Sequence, residues 1–287
     1  MKSILKDKLI CLQCHGQLVE DGQRVVCSSC SAIVPKIENS IIFYRQHNNN
    51  PINKVRSSDE FISRLKSFVK KYNPRFFRFL SLLVGAVFVG KSVGDFLKQL
   101  PNDGLVLNLG AGTKKINKNI INIDIDIFSH VDIVADAKNL PFLDNSVDAV
   151  ICEFMLEHVE DPEKIIAEMM RVLKTGGLVY VTTPFIIGFH SCPRDYYRWT
   201  ESGLKEKMKK FTEVAFGVCC GPSSAFVAIF SEWFAITFSF GIKKVYELLL
   251  LIALVIFAPL KLLDFIYYNF PPAKNIALGF YYIGKKI

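Results

Sequence analysis

The hydrophobic pattern of the chain changes near residue 105. From there, short apolar runs end in polar or glycine-bearing turns: residues 105–112 (LVLNLGAG), 119–125 (NIINIDI), 131–136 (VDIVAD), 147–154 (VDAVICEF) and 178–184 (LVYVTTP). Near-continuous apolar runs of this length, bounded by turn residues, predict strands buried on both faces. Between the fourth and fifth runs, residues 162–174 (PEKIIAEMMRVLK) follow helical spacing. Ile165, Ile166, Met169, Met170 and Leu173 share one face, and Gly176-Gly177 supplies a stop signal. Strands alternating with such an element predict an α/β fold with a doubly wound, mostly parallel sheet. Ligands bind such sheets beyond the carboxyl ends of the strands, where Gly110 and Gly112 fall.

The flanks differ in texture. Residues 1–43 hold β-rich pieces around two cysteine pairs, and residues 44–60 are polar, asparagine-rich and read as a linker. Residues 61–100 are patterned as helix. The apolar stretch 79–90 inside them is too short to cross a bilayer and is expected as a cap helix on the catalytic domain. After Phe211 two apolar runs follow, 223–240 and 245–260. The uncharged part of the second covers thirteen residues, 248–260, against about twenty for a span. Residues 265–287 carry aromatics and lysines suited to a headgroup layer. The expected organisation is a small ribbon (1–43), a linker (44–60), a catalytic domain with cap helices (61–215) and a hydrophobic helical extension (216–287).

Composition sharpens this picture in two ways. The 287 residues are 51% hydrophobic with net charge +8 and mean hydropathy +0.27. The charge favours an acidic partner, whether nucleic acid, anionic lipid or substrate, and the hydropathy raises a membrane contact. The first residues, MKSILKDKLICLQC, contain no long apolar stretch, so no secretory signal is expected. Close cysteine pairs in a reducing compartment then point to metal. Cys11-x2-Cys14 and Cys27-x2-Cys30 are two knuckles twelve residues apart. Four thiolates fill a tetrahedral zinc shell and leave no open position, so the predicted role is structural and His15 is left out. The alternative is a redox pair. Cys152, Cys192, Cys219 and Cys220 show no ligand spacing and are expected as buried small hydrophobes.

The glycine turn after Leu109 admits several cofactors. A phosphate-binding loop needs G-x4-G-K-[ST], which is absent, and a dinucleotide fingerprint needs a third glycine where Lys115 stands. Asp124 ends the second strand and can accept both ribose hydroxyls, yet it lies only twelve residues beyond Gly112, against about twenty in the dinucleotide pattern. Asp136-Ala137 ends the third strand, within reach of an adenine edge. Two glycines and two carboxylates without a phosphate cradle fit an adenosyl ligand lacking phosphates.

In order along the chain, LNLGAGT, INIDI, residues 134–185 with their LPF-x-D-N-S-x-D and LEH-V-x-D-P-E blocks, and HSCPRDYYRWTESGL resemble a class I S-adenosylmethionine-dependent methyltransferase, of the ubiquinone-biosynthesis-like type 11 group. The resemblance covers roughly residues 100–215 and implies a Rossmann-like fold. Residues 1–43 separately resemble zinc ribbons found with some tRNA, rRNA and protein methyltransferases. Carried over by position, Gly110, Ala111 and Gly112 would line the methionine and ribose part of the cofactor. Asp124 would hold the ribose, Asp136 and Ala137 the adenine edge, and Glu153 would face the cleft. One departure is the stretch TKKINKN after Gly112, too short for the usual first crossover helix.

Residues 189–200 (FHSCPRDYYRWT) follow the fifth strand and overhang the site. His190 is the first candidate base and Asp195 the second; closing over the cofactor is the alternative for both. Glu157 and His158 form a further pair near the cleft, with a structural role as the alternative. Arg194 and Arg198 could hold an acidic acceptor or pair with Asp195. The expected reaction is methyl transfer to a small or lipid-linked acceptor, a cell-envelope saccharide or quinone-like molecule. RNA methylation with the ribbon binding substrate, and a non-catalytic binding protein on the same scaffold, are the competing readings. The expected location is the cytoplasm, with peripheral or monotopic attachment at the inner face of the cytoplasmic membrane. A helical cover over the sheet or a dimer contact is the alternative for the hydrophobic extension.

Overall fold

In the computed structural model the described residues are 5, 7–22, 24–37, 40–44, 72–73, 75, 83–112, 116, 120–190 and 194–287. The ribbon supplies β1 (Leu18–Asp21), β2 (Arg24–Cys27), β3 (Ile33–Ile37) and β4 (Ser40–Ile42). Its first three strands and β4 form antiparallel pairs in sequence. The apolar runs then give β5 (Val106–Leu109), β6 (Ile120–Asp124), β7 (Ile133–Val134), β8 (Val147–Glu153) and β9 (Leu173–Pro184). Two further strands, β10 (Thr212–Cys220) and β11 (Gly279–Lys285), complete one sheet of order β1-β2-β3-β4-β7-β6-β5-β8-β9-β11-β10. Strands β4 to β9 are mutually parallel, and β11 runs antiparallel to both its neighbours. The ribbon is thus continuous with the central sheet, through Ile41 opposite Ile133.

The parallel strands are buried as their run of apolar residues requires. Leu107, Leu109, Ile121, Val150, Ile151 and Val181 are essentially inaccessible, and each contributes on the order of 1.5–3 kcal/mol by leaving water. A buried amide pair interrupts the apolar layer: Asn108 Nδ2 donates to Asn122 Oδ1 at 3.0 Å. That bond fixes β5 against β6 two residues before Gly110.

Helix α1 (Val93–Leu97) is short and capped by Ser92 and Asp95. Helix α2 (Pro162–Val172) starts at an Asp161 cap with Pro162 in its first turn, and buries Ile165, Ile166, Met169 and Val172. It ends at Val172, earlier than the glycine pair suggested. Leu173 already has extended backbone, and Gly176-Gly177 lie within β9, where the pairing with β8 jumps from Val147–Leu173 to Ala149–Leu178. Helix α3 (Glu201–Met208) precedes β10, and α4 (Pro222–Phe238), α5 (Lys243–Ile256) and α6 (Asp264–Tyr267) lie between β10 and β11.

Two expectations about the flanks need correction. The boundary drawn at 215 cuts through β10, and the last residues belong to the sheet. Phe280, Tyr282 and Ile283 are buried in β11, because that strand fills the gap between β9 and β10. They are core residues and not headgroup contacts. The hydrophobic extension is therefore an insertion, residues 222–276, between two neighbouring strands. Of the expected cap helices, residues 61–71, 74 and 76–82 lie outside the described residues, as does nearly all of the linker. Residues 85–92 are not helical, and Phe88 forms a bridge to Cys220. Cys152, Cys219 and Cys220 are buried as expected; Cys192 lies outside the described residues.

Candidate active site

A cleft of about 380 Å³ opens at the carboxyl ends of β5, β6 and β7. Gly110, Gly112, Asp124, Asp136 and Ala137 line it, as expected from their strand-end positions, together with Asp126, Phe154, Met155 and His158. A larger cleft of about 570 Å³, bordered by Gly90, Lys91, Asp95 and Glu201, contains none of these strand-tip residues.

Backbone geometry explains the glycines. Gly110 and Gly112 have φ of +66° and +51°, the left-handed region that favours glycine. A side chain at 110 would also place its Cβ 2.7 Å from Met155 Cγ. The turn stays bare, so main chain faces the cleft. Asp124 Oδ2 accepts the Gly112 N–H at 2.7 Å and Oδ1 accepts the Asp126 N–H at 3.0 Å. The short link after Gly112 therefore leaves Asp124 beside the turn, because β5 and β6 pair in register from Val106–Ile120 to Leu109–Ile123. Asp136 Oδ1 accepts the Lys138 N–H at 2.9 Å, which orients the carboxylate at the tip of β7. Among the described residues the donor set suits a nucleoside, with carboxylates for hydroxyl and amino groups.

Two more of the expected contact residues adjoin the lining residues. Ala111 is buried and donates its N–H to Ile123 O at 3.1 Å. Glu153 sits at the end of β8 opposite Thr182 and does not line the cleft. Met155 and Phe154, which do, had only their place just past a strand tip as a signal.

The segment after β9 divides the two candidate bases. Asp195 forms a two-pronged pair with Arg198 Nη1 and Nη2 at 2.5 and 2.6 Å, and accepts the His190 N–H at 2.9 Å. The guanidinium holds its carboxyl down at about 2. A carboxylate so engaged is a poor proton acceptor, so Asp195 is a positioning residue rather than a base. Arg198 also donates to Gly188 O at 2.9 Å, and the pair thereby shapes the backbone that carries His190. Partial burial lowers the pKa of His190 below the ordinary histidine value, against the opposing charge of Asp195. Its imidazole is neutral at pH 7 and able to take a proton.

His190 packs edge-on against His158, with ring centroids 5.1 Å apart, and His158 lines the cleft itself. His158 Nδ1 lies 2.6 Å from Arg194 O. A carbonyl only accepts, so Nδ1 carries the hydrogen and neutral His158 keeps its lone pair on Nε2. That nitrogen is 3.8 Å from Glu157 Oε1. Glu157 is fully buried, and neither carboxylate oxygen has a hydrogen-bond partner. Burial pushes its pKa up to about 8, so at neutral pH the group is an uncharged acid.

At the other end of the sheet the four ribbon cysteines converge. Cys11 Sγ and Cys30 Sγ are 3.7 Å apart, and Cys14 Sγ and Cys27 Sγ 3.4 Å. Metal–sulfur bonds of about 2.3 Å in a tetrahedron put sulfurs roughly 3.8 Å apart, so the cluster fits one ion. The two knuckles share a backbone form. The His15 N–H donates to Cys11 O and the Ser31 N–H to Cys27 O, at 2.9 and 3.0 Å, and both residues have positive φ.

Comparison with known proteins agrees with this geometry over the strand-tip region. The family model described as "Methyltransferase domain" matches residues 107–181. A demethylmenaquinone methyltransferase of Renibacterium salmoninarum is 43% identical over 79 residues, 28% of this chain and 31% of its own. A tRNA (carboxymethyluridine(34)-5-O)-methyltransferase of Arabidopsis thaliana is 32% identical over 148 residues, 44% of this chain and 36% of its own. The chain thus spans about a third of the length of these relatives. A solved Haemonchus contortus phosphoethanolamine N-methyltransferase 2 overlays loosely, with TM-score 0.42 and 16% identity over 77% of this chain and 59% of that one. With its glycine turn, strand-end carboxylates and matched residues 107–181, the chain carries a class I, Rossmann-like S-adenosylmethionine-dependent methyltransferase domain.

Proposed function

We propose that this protein transfers a methyl group from S-adenosylmethionine to a small or lipid-linked acceptor, a cell-envelope saccharide or quinone-like molecule. The observation that carries the reading is the strand-tip cleft, where bare backbone at Gly110 and Gly112 meets the carboxylates of Asp124 and Asp136. When bound, the cofactor supplies an electrophilic methyl on a sulfonium. Gly110 and Gly112 let its methionine and ribose lie against the main chain, and Asp124 accepts from the ribose hydroxyls. Asp136 accepts from the adenine amino group. His158 Nε2, or His190, takes the proton of a hydroxyl or amine acceptor as it is methylated. The rest of the rate comes from holding acceptor and methyl in line.

Two features support a lipid-linked acceptor. Some matching relatives are named demethylmenaquinone methyltransferases. Apolar grooves of about 370 and 480 Å³ adjoin at Pro222, Phe226 and Ile276, and the first reaches Ile186 just beyond β9. A prenyl or acyl chain lying there would end near the loop that carries His190. RNA methylation is the second reading, favoured by the relative named as a tRNA methyltransferase and by the net charge of +8. A labelled-methyl assay on fractionated extract separates the two: label in the lipid or small-molecule pool supports the first, and label confined to RNA overturns it. For the ribbon we infer structural zinc on Cys11, Cys14, Cys27 and Cys30. Metal analysis should return one zinc per chain, lost together with Cys14→Ser and Cys27→Ser.

A further inference from the structure

The insertion between β10 and β11 has the polarity of an ordinary domain turned inside out. Of its seven charged residues, two of the three carboxylates are buried and the third is partly buried. Glu247 and Asp264 are buried, and Glu232 accepts the Tyr246 hydroxyl. Asp264 accepts the Ser223 and Ser224 N–H groups at 2.7 and 2.9 Å and so caps α4 from within. Lys261 is buried too, and its Nζ donates to Leu83 O and to Gly85 O. Ser231 and Ser239 are likewise buried.

What faces outward is apolar. Trp233, Ile236, Phe240, Leu248, Ile256 and Phe265 are each about half exposed or more. Eighteen of the thirty exposed large apolar side chains among the described residues fall between 226 and 276. At roughly half of the 150–250 Å² of an aromatic side chain apiece, they far exceed the few hundred Å² that a soluble monomer exposes. Among the described residues nothing covers them.

We propose that residues 222–276 are seated in one leaflet of a lipid bilayer with anionic headgroups, and that the sheet stands outside it. Three observations select this occupant over a second copy of the chain. The apolar residues occur on α4, on α5 and on the bent segment after it, as a surface wrapped by lipid requires and a flat self-complementary patch does not. The exposed charges of the insertion, Lys243, Lys244 and Lys274, are all positive; Lys243 is 4.0 Å from Glu247 and Lys274 pairs with Glu201 at 3.0 Å, and the Lys243-Lys244 end of α5 is placed to meet anionic headgroups. Finally, no single helix among the described residues is long and apolar enough to cross a membrane, whereas Lys243–Ile256 with Ala258–Tyr267 passes the length and composition test only as a pair bent by 46°. Such a break suits a monotopic insertion. The inference shares the apolar grooves at Pro222, Phe226 and Ile276 with the lipid-linked acceptor reading but uses none of the cofactor-cleft residues.

Flotation of the full-length protein with vesicles tests it. The protein should float with vesicles containing phosphatidylglycerol and remain bound in 1 M salt, because apolar insertion does not depend on charge once made. Lys243→Gln and Lys244→Gln should each weaken initial binding to anionic vesicles about five-fold. Ile236→Glu with Ile252→Glu should abolish flotation while the thermal melt in detergent is kept, showing that the sheet is folded. Protein that stays at the bottom of the gradient with every vesicle would overturn the proposal. So would a concentration-dependent dimer in lipid-free buffer that the double glutamate variant dissociates.

Discussion

The strands around Gly110 and the insertion at 222–276 are comparably apolar in sequence but use that apolarity in opposite directions. In β5, β8 and β9 the apolar side chains are sealed inside, and polar groups appear at the strand tips where the cleft opens. In the insertion Glu247, Asp264 and the four serines are buried, and Phe, Trp, Ile and Leu side chains face out. Hydrophobicity alone does not separate the two arrangements. What separates them is where the few polar groups lie: at strand tips facing the cleft in one case, and inside in the other, where Asp264 meets Ser223 and Ser224, Glu232 meets Tyr246 and Lys261 meets Leu83 and Gly85.

Paired substitutions can break this comparison. Ile151→Ala, at a fully buried position of β8, should cost about 2–5 kcal/mol in denaturant unfolding. In the insertion the sensitive group should be polar instead. Asp264→Ala leaves the two N–H groups of Ser223 and Ser224 buried without an acceptor, and should cost about 2–3 kcal/mol by the same measurement in detergent. A loss below that of a surface substitution would mean that the inward polar groups hold nothing in place.

Glu157 sharpens the comparison from the strand side, as a buried acid with no partner. Its native pKa of about 8 lies above the ordinary value of 4.5, so between these pH values the native state binds a proton that the unfolded state has released. Stability therefore falls as pH rises from about 4.5 to about 8 and then levels off. Glu157→Gln removes that dependence. Its stability should pull ahead of the parent's through this window, with a gain of up to about 5 kcal/mol by pH 9. An advantage that shrinks with rising pH would contradict the burial argument.

At the cleft, Asp124→Asn should weaken cofactor binding about ten-fold or more, by about 1.5–3 kcal/mol, with the fold intact. The smallest effect is the counterpart of the first. Ile236→Ala, at a position 64% exposed, should change unfolding in detergent by less than about 0.5 kcal/mol.

The sequence made the central strands legible because each is a short apolar run with a turn at its end, and Gly110, Gly112, Asp124 and Asp136 were located by those ends alone. The cysteine spacing likewise marked the ribbon cluster. Three things were hidden for physical reasons. Residues 279–285 look like a membrane-surface tail because an antiparallel strand between two others is apolar on both faces and rich in aromatics. Asp195 reads from the sequence as a base or as a partner of Arg198, and nothing in the order of residues reveals that Arg198 occupies both its oxygens. The inward carboxylates of the insertion could not be read either, since Asp264 meets Ser223 and Ser224 across some forty residues of chain.

The most direct test of the account is calorimetric titration of the full-length protein with S-adenosylhomocysteine, alongside Asp124→Asn. The account predicts one saturable site per chain, weakened in the variant and unaffected by Ile236→Ala. Absence of binding to the parent protein, or equal binding to the parent and to Asp124→Asn, would contradict it.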